Sequence, residues 1–159
     1  MTVEPVAFQD CYSDANAHCY GCGRLNDRGL RIRTTWDPDD ESASLTIFTP
    51  DDHLTGGVPG NLYGGILASL IDCHSTATAS AVRAREDGQP LGEGGLPRFV
   101  TASLKVDFAA PTPVGVPLTL RGRVEEVSGR KVVVSTVLSA DGKECVHGHA
   151  ILVQMPPAS

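Results

Sequence analysis

The 159-residue sequence contains no run of lysine or arginine and no long uninterrupted apolar stretch. Its formal net charge is -6 at pH 7. Because phosphate contacts need clustered basic side chains, we expect no nucleic-acid partner. The least polar long stretch, residues 66–82, includes Asp72 and His74 and is short for a bilayer span, so we expect no membrane partner.

Signals for export and for several common catalytic motifs are also missing. The first ten residues lack a basic segment followed by an apolar one, so we expect no signal peptide. The five cysteines are an odd number, which favours reduced thiols and a cytoplasmic location. The sequence has no G-x-S-x-G, P-loop or dinucleotide-binding motif, so nothing supports a Ser-His-Asp hydrolase.

The sequence does contain one helical pattern and six alternating ones. Apolar residues recur with a period of about 3.6 residues over 66–82, which predicts a helix. Alternating or β-branched runs predict strands over residues 30–36, 43–49, 99–108, 117–127, 131–139 and 144–155. Short turn-like connectors predict antiparallel pairing, and the helix must bury its apolar face against that sheet. We therefore expect an α+β fold in the order β-β-α-β-β-β-β, with one domain at 30–155 after an irregular segment at 1–29.

Asp72 is the sole Asp, Glu, Lys or Arg between residues 66 and 82. The helix face that carries it otherwise holds small or hydroxylic residues, where a solvated face normally carries long charged side chains. This pattern predicts a helix covered on both sides, by the sheet and by a second subunit. An isolated carboxylate there is costly unless it is paired or used, so Asp72 is the leading catalytic candidate. The alternative is a structural hydrogen bond between Asp72 and a neighbouring loop.

The start of the helix is a second candidate feature. Tyr63, Gly64 and Gly65 lead directly into the helix, and free N–H groups at a helix N-terminus can stabilise an oxyanion. Asp72 follows Gly64 by roughly 12 Å along the axis, so one chain cannot easily place both on one carbonyl. A symmetric dimer with antiparallel helices would bring Gly64 of one subunit to Asp72 of the other. The alternative is a plain loop-to-helix turn.

The segment LYGGILASLIDCHSTATA resembles the helix motif of the PaaI-like hotdog thioesterases, in which His-Gly-Gly precedes an Asp at this spacing. CYGCGRLNDRGLRI (19–32) and TASLKVDF (101–108) are also similar to that family. The resemblance implies a hotdog fold, a homodimer or dimer of dimers, and hydrolysis of an acyl-CoA thioester. It implies no metal or organic cofactor, since coenzyme A is part of the substrate. It also implies that the Gly64 amide binds the thioester carbonyl, that Asp72 acts as nucleophile or general base, and that Thr101 positions the water.

The sequence departs from the family motif at two places. Tyr63 stands where the family has His, and a Tyr hydroxyl can donate a hydrogen bond but cannot supply imidazole chemistry. The Asn or Gln that several members carry before the first Gly is absent, and Asn61 is the nearest substitute. We therefore assign Tyr63 to catalysis, and Asn61 and Gly65 to substrate binding. Two alternatives stay open: a hotdog hydratase or dehydratase, and a non-catalytic acyl-CoA-binding module.

Three arginines are candidates for the nucleotide end of the substrate. Arg83, Arg85 and Arg98 fall in the loop predicted at 83–98, and guanidinium groups suit the phosphates of coenzyme A. The alternative is a solvated loop.

One group of cysteine and histidine residues has the composition of a zinc site. It surrounds a C-x-x-C sequence and consists of Cys11, His18, Cys19 and Cys22. All four ligands would have to come from one short irregular segment. We therefore predict a reduced structural turn there and no metal.

Two further histidine patterns have structural interpretations. Cys145, His147 and His149 alternate on one predicted strand, so we expect them to share one face, as sheet surface or dimer contact. A metal ladder is the alternative. His74 lies about 200° around the helix from Asp72. It is predicted to be a core histidine with a satisfied nitrogen, with an active-site role as the alternative.

Overall fold

The computed structural model describes residues 3–92 and 94–157. Within these ranges it contains one α-helix, α1 (Gly64–Glu86), and six strands. The strands are β1 (Thr34–Asp37), β2 (Asp40–Phe48), β3 (Phe99–Phe108), β4 (Leu118–Ser128), β5 (Lys131–Ala140) and β6 (Lys143–Gln154). Single 3-10 turns lie at Phe8–Cys11, Asp14–Asn16 and Asp52–Leu54. The predicted α+β class and element order are confirmed.

The six strands form one antiparallel sheet in the order β1-β2-β4-β5-β6-β3. Strands β4, β5 and β6 are joined by tight turns, as the alternating pattern and the turn residues predict. Strand β3 lies at the sheet edge beside β6, with Leu104 opposite Ala150. It precedes β4 in the chain but is separated from it by two strands, and this long-range placement brings the start of β3 against the middle of α1.

Helix α1 packs against one face of this sheet and contacts β3, β4, β5 and β6. Leu70 and Ile71 are fully buried there, and burial of each side chain contributes about 1.5–3 kcal/mol. Two strand glycines permit the close approach. A Cβ at Gly148 would overlap the side chain of Ile71, and one at Gly122 would lie 2.6 Å from Nε2 of His74. No helix within the described ranges is long and apolar enough to cross a membrane.

The first strand is shorter than the prediction of 30–36. Arg31 has a φ of 60°, which breaks the extended conformation. The amides of Leu30 and Ile32 donate to carbonyls of the turn at 19–22, at 2.8 and 3.0 Å, instead of to a strand. Pairing with β2 therefore begins only at Thr34.

Helix α1 has 23 residues and extends beyond the predicted 66–82 at both ends. Its first residue is Gly64, and its last turn includes residues 83–86, three of which are charged and all of which were wrongly predicted as loop. They continue the helix because Ala84 is buried among apolar side chains of the N-terminal segment. The helix ends at Glu86, just before Gly88, which has a φ of 70°.

The N-terminal segment packs on the C-terminal half of α1. Phe8 is fully buried and makes an edge-to-face contact with Trp36, with ring centroids 5.0 Å apart. It belongs to an apolar cluster that includes Cys11, Ala77 and Ala81. The N-terminal segment thus covers part of the helix surface and forms one wall of the cavity beside α1.

Candidate active site

A cavity of about 440 Å³ lies between the N-terminal segment, the middle of α1 and the start of β3. Its lining includes Asp72 and Thr76 from α1, and Phe99 and Thr101 from β3. We call it the Asp72 cavity. Apolar walls with a few convergent polar groups are typical of sites for small molecules.

Asp72 is half-buried, and its carboxylate is held from β3. Thr101 Oγ1 donates to Asp72 Oδ1 at 2.5 Å, and the hydroxyls of Thr101 and Thr76 lie 3.2 Å apart. Thr76 Oγ1 donates its one proton to the backbone carbonyl of Asp72 at 2.9 Å, and Thr101 donates its own proton to the Asp72 carboxylate. Among the described residues, the second carboxylate oxygen has no hydrogen-bond donor. It can therefore accept a proton from a molecule in the cavity.

The helix N-terminus also has the features expected of a carbonyl-binding group. Tyr63 is the N-cap of α1, and in the described part of the chain its side chain makes no capping hydrogen bond. Helical geometry leaves the amides of Gly64 and Gly65 without intrahelical acceptors. The Tyr63 ring covers Gly65, where a Cβ would lie 3.0 Å from the phenol oxygen. Asn61 lies in the preceding loop and forms a backbone bridge with Pro113.

The structure separates the three candidate phosphate-binding arginines. Arg83 and Arg85 belong to α1, so their assignment to a loop was wrong. Arg83 donates to the carbonyl of Gly129, and Arg85 stacks over Trp36 at 3.5 Å from the ring centroid. Arg98 does lie in the loop before β3, and it lines the Asp72 cavity. Phosphate binding by any of the three stays a prediction, with Arg98 the best placed.

Cys19, Cys22 and Cys73 form a thiol cluster on the wall of the Asp72 cavity. Their sulfur atoms all lie within 4.8 Å of one another, and Cys19 Sγ is 3.9 Å from Cys73 Sγ. Hydrogen bonds from the Cys22 and Cys73 thiols hold the pKa of Cys19 well below its usual value. The same hydrogen bonds, together with burial, raise the pKa values of Cys22 and Cys73. Cys11, a member of the set considered from the sequence, lies instead in the apolar cluster around Phe8.

His74 is fully buried between α1 and the sheet. Its Nε2 is 2.9 Å from Ser44 Oγ, and its Nδ1 is 2.7 Å from Thr46 Oγ1. Burial lowers the pKa of His74 to about 3, so the imidazole is neutral at physiological pH. The prediction of a core histidine with a satisfied nitrogen is confirmed.

The expectation that Cys145, His147 and His149 share one face is wrong. Cys145 is fully buried, whereas both histidines are exposed. The reason is a register shift between β5 and β6 at Leu138/Ser139, which inserts an extra residue and turns Cys145 inward.

A long helix packed on an antiparallel sheet, with a carboxylate in mid-helix beside a cavity, defines a class of protein with the hotdog fold. The sequence model of the thioesterase superfamily matches residues 59–146. The chain therefore belongs to the thioesterase superfamily.

Individual proteins that the chain resembles include solved structures and curated thioesterases. A thioesterase superfamily protein from Shewanella loihica is 42% identical with a TM-score of 0.66, over 90% of this chain and 98% of that one. The acyl-coenzyme A thioesterase THEM4 of Xenopus laevis is 33% identical over 110 residues, which are 69% of this chain and 43% of the relative. The chain thus spans less than half the length of the curated relatives it matches. The PaaI protein of E. coli, 18% identical with a TM-score of 0.59 over 74% of this chain and 75% of that one, shares the fold.

Thr76 and Cys73 are among the cavity residues that sequence reasoning missed. Thr76 follows Asp72 by one helical turn, so its position on the same face was available as a signal. Cys73 had no such signal, because it meets Cys19 only through the packing of the N-terminal turn on α1.

Proposed function

We propose that this chain is an acyl-CoA thioesterase, which hydrolyses a thioester to a free acid and coenzyme A. The observation that carries the proposal is the Asp72 carboxylate, held by Thr101 on the wall of a cavity in a thioesterase-superfamily chain. The similarity to acyl-coenzyme A thioesterases from Xenopus laevis and Mus musculus supports the substrate class. The hydrolysis needs no metal or organic cofactor, and coenzyme A enters as part of the substrate.

Asp72 acts as general base or as nucleophile. As a base, it takes a proton from water while the water oxygen bonds to the thioester carbon, and the carbon–sulfur bond then breaks. The leaving thiolate of coenzyme A receives that proton, which returns Asp72 to its ionised form. As a nucleophile, the carboxylate would bond to the thioester carbon and expel the thiolate of coenzyme A, which leaves an acyl-enzyme anhydride. Water would then break the anhydride to give the free acid and the Asp72 carboxylate, and the proton released would go to the thiolate. In both cases the Thr101 hydrogen bond fixes the orientation of the carboxylate.

Completing the site requires a second copy of the chain, so we propose a homodimer or a dimer of dimers. Gly64 and Asp72 of one helix are roughly 12 Å apart, too far to act on one carbonyl. Strand β3, ten residues long, lies at the sheet edge, where pairing with its symmetry mate would set two α1 helices antiparallel. Tyr63 and Phe108, beside the helix N-terminus, are 56% and 57% exposed and offer apolar surface for that contact.

In this dimer the acyl carbonyl lies over the N-terminus of one helix and beside Asp72 of the other. The Gly64 amide, with Tyr63, stabilises the oxyanion, while Asn61 and Gly65 contact the substrate. Arg98 binds the phosphates of coenzyme A, because it is an exposed guanidinium at the cavity. The cytoplasmic location stays a prediction.

Free-thiol release from a panel of aliphatic and aromatic acyl-CoAs tests the proposal. Wild type should turn over at least one substrate, and Asp72→Asn should lose at least about 100-fold in kcat, within the range for an acid–base group. Acyl-CoA binding should persist, because the substitution keeps the shape of the side chain. Asp141→Asn is the matched control: it lies in an exposed turn at a φ of 50°, which Asn adopts readily, and should keep wild-type activity.

Two results would count against the proposal. Acyl-CoA binding without thiol release from any substrate would favour a non-catalytic binding module. Loss of enoyl-CoA absorbance without thiol release would favour a hydratase on the same fold.

A further inference from the structure

We propose that the thiol cluster of Cys19, Cys22 and Cys73 binds a thiophilic divalent cation, Zn²⁺ being the best match, as a clip between the N-terminal turn and α1. The site is separate from the hydrolytic chemistry proposed above. It revises the sequence-based prediction of a reduced turn without metal, because the third thiol comes from the helix and not from the N-terminal segment.

The spacing of the sulfur atoms fits coordination. In a tetrahedral zinc site with Zn–S bonds of about 2.3 Å, neighbouring sulfurs lie about 3.8 Å apart. The sulfurs of Cys19 and Cys73 are 3.9 Å apart, and all three lie within 4.8 Å of one another. A disulfide would need about 2.05 Å and would leave one of the three thiols unused. Three sulfurs converging on one point are what a single ion needs.

The turn that carries two of the thiols is arranged around sulfur. The backbone amides of Gly21 and Cys22 both donate to the Cys19 thiol, and Gly23 N donates to the Cys19 carbonyl at 2.7 Å. Amides directed at a sulfur offset the negative charge that a ligating thiolate carries. Gly21 also makes room for the third ligand, because a Cβ at this position would overlap the sulfur of Cys73.

The ligand set selects the ion. Thiolates favour zinc and other soft or borderline metals, and they disfavour magnesium and calcium, which take oxygen ligands. Three thiolates leave one tetrahedral position, and both Cys19 and Cys73 line the Asp72 cavity, so water in the cavity can fill it. An ion held this way joins the N-terminal turn to α1 one residue from Asp72.

Cobalt substitution and zinc competition test the site on the full chain, after chelator treatment under reducing conditions. Co²⁺ should give the thiolate-to-metal charge-transfer bands and intense visible bands of a tetrahedral site, at one equivalent per chain. Zn²⁺ should displace it with a Kd below about 10 μM, or tighter than about −7 kcal/mol. Cys19→Ser and Cys22→Ser should each weaken Zn²⁺ binding by at least about 100-fold, more than the usual loss for an outer-shell group. Cys73→Ser should weaken Zn²⁺ binding to the same extent. Because Cys19 is exposed in the turn, Cys19→Ser is the variant expected to fold normally, so its loss of binding can be assigned to the missing ligand.

Cys145→Ser is the matched control, since Cys145 is a fully buried cysteine outside the cluster, and it should keep wild-type Zn²⁺ affinity. Three results overturn the proposal: cobalt bound without charge-transfer bands, a Kd above the stated limit, or wild-type Zn²⁺ affinity in the folded Cys19→Ser and Cys22→Ser variants. These readouts do not depend on hydrolysis, so they stand whether or not thioesterase activity is found.

Discussion

His74 should make the protein less stable as the pH falls below neutrality. Burial lowers its pKa from 6.5 to about 3 in the folded state, whereas the unfolded chain keeps the ordinary value. The unfolded state therefore binds a proton that the folded state does not between these two values. Above pH 6.5 His74 is neutral in both states and does not change the free energy of unfolding. As the pH falls from 6.5 towards 3, protonation of the unfolded state lowers that free energy. Each pH unit inside that window costs about 1.4 kcal/mol, so the loss at pH 5 is about 2 kcal/mol.

Urea unfolding followed by circular dichroism at pH 7.5, 6 and 5 measures this effect. Carboxylates also titrate in the range, so the informative quantity is the difference between wild type and His74→Gln, which removes the titration and can still hydrogen-bond Ser44 and Thr46. The wild-type free energy of unfolding should fall by about 2 kcal/mol more than that of the variant between pH 7.5 and pH 5. Parallel pH profiles would refute the reasoning, because they would show that His74 is protonated at no extra cost in the folded state.

Two further predictions concern the proposed reaction. Thr101→Val removes the hydrogen bond to Asp72 but keeps the branched shape. Its kcat should fall by about 10- to 100-fold, the equivalent of about 1.5–3 kcal/mol for a hydrogen bond to a charged group, whereas Thr101→Ser should retain most of the wild-type kcat. Equal kcat values for the two variants would exclude the positioning role. Arg98→Ala should raise KM for acyl-CoA by about 10-fold and leave KM for a short thioester without the nucleotide unchanged. Arg123→Ala, at an exposed ion pair, is its control, and a similar rise in that variant would contradict a specific phosphate contact.

The middle of the fold was predictable because local patterns determine it. The 3.6-residue period of α1 and the alternation of β3 to β6 follow from which side chains must face the core. The ends of the helix and strands were harder to predict from the sequence. The last turn of α1 carries three charged residues, Arg83, Arg85 and Glu86, yet it stays helical because its neighbours in space, not in sequence, bury Ala84.

The site was predictable in part for a similar reason. Asp72 and Gly64 could be singled out from one helix, and Thr101 came from the family resemblance. Their relation could not be read from the sequence, since the contact between Asp72 and Thr101 depends on β3 leaving its chain neighbour β4 for the edge beside β6. The thiol cluster depends likewise on where Cys73 meets the N-terminal turn.

Three consecutive helical residues, Asp72, Cys73 and His74, enter three different environments, and together their contacts restrain the register of α1. Asp72 accepts from Thr101 at the cavity, Cys73 meets the N-terminal turn, and His74 places its neutral ring between two buried hydroxyls of β2. Successive side chains differ by about 100° around the axis, so a register shift of one residue would move each side chain into its neighbour's environment, and a shift of two would bring the carboxylate to the histidine site. Either shift would leave a buried polar group without its partner, at about 1–3 kcal/mol for each such group. The buried histidine, which takes no part in the proposed chemistry, therefore helps to aim Asp72 at the cavity.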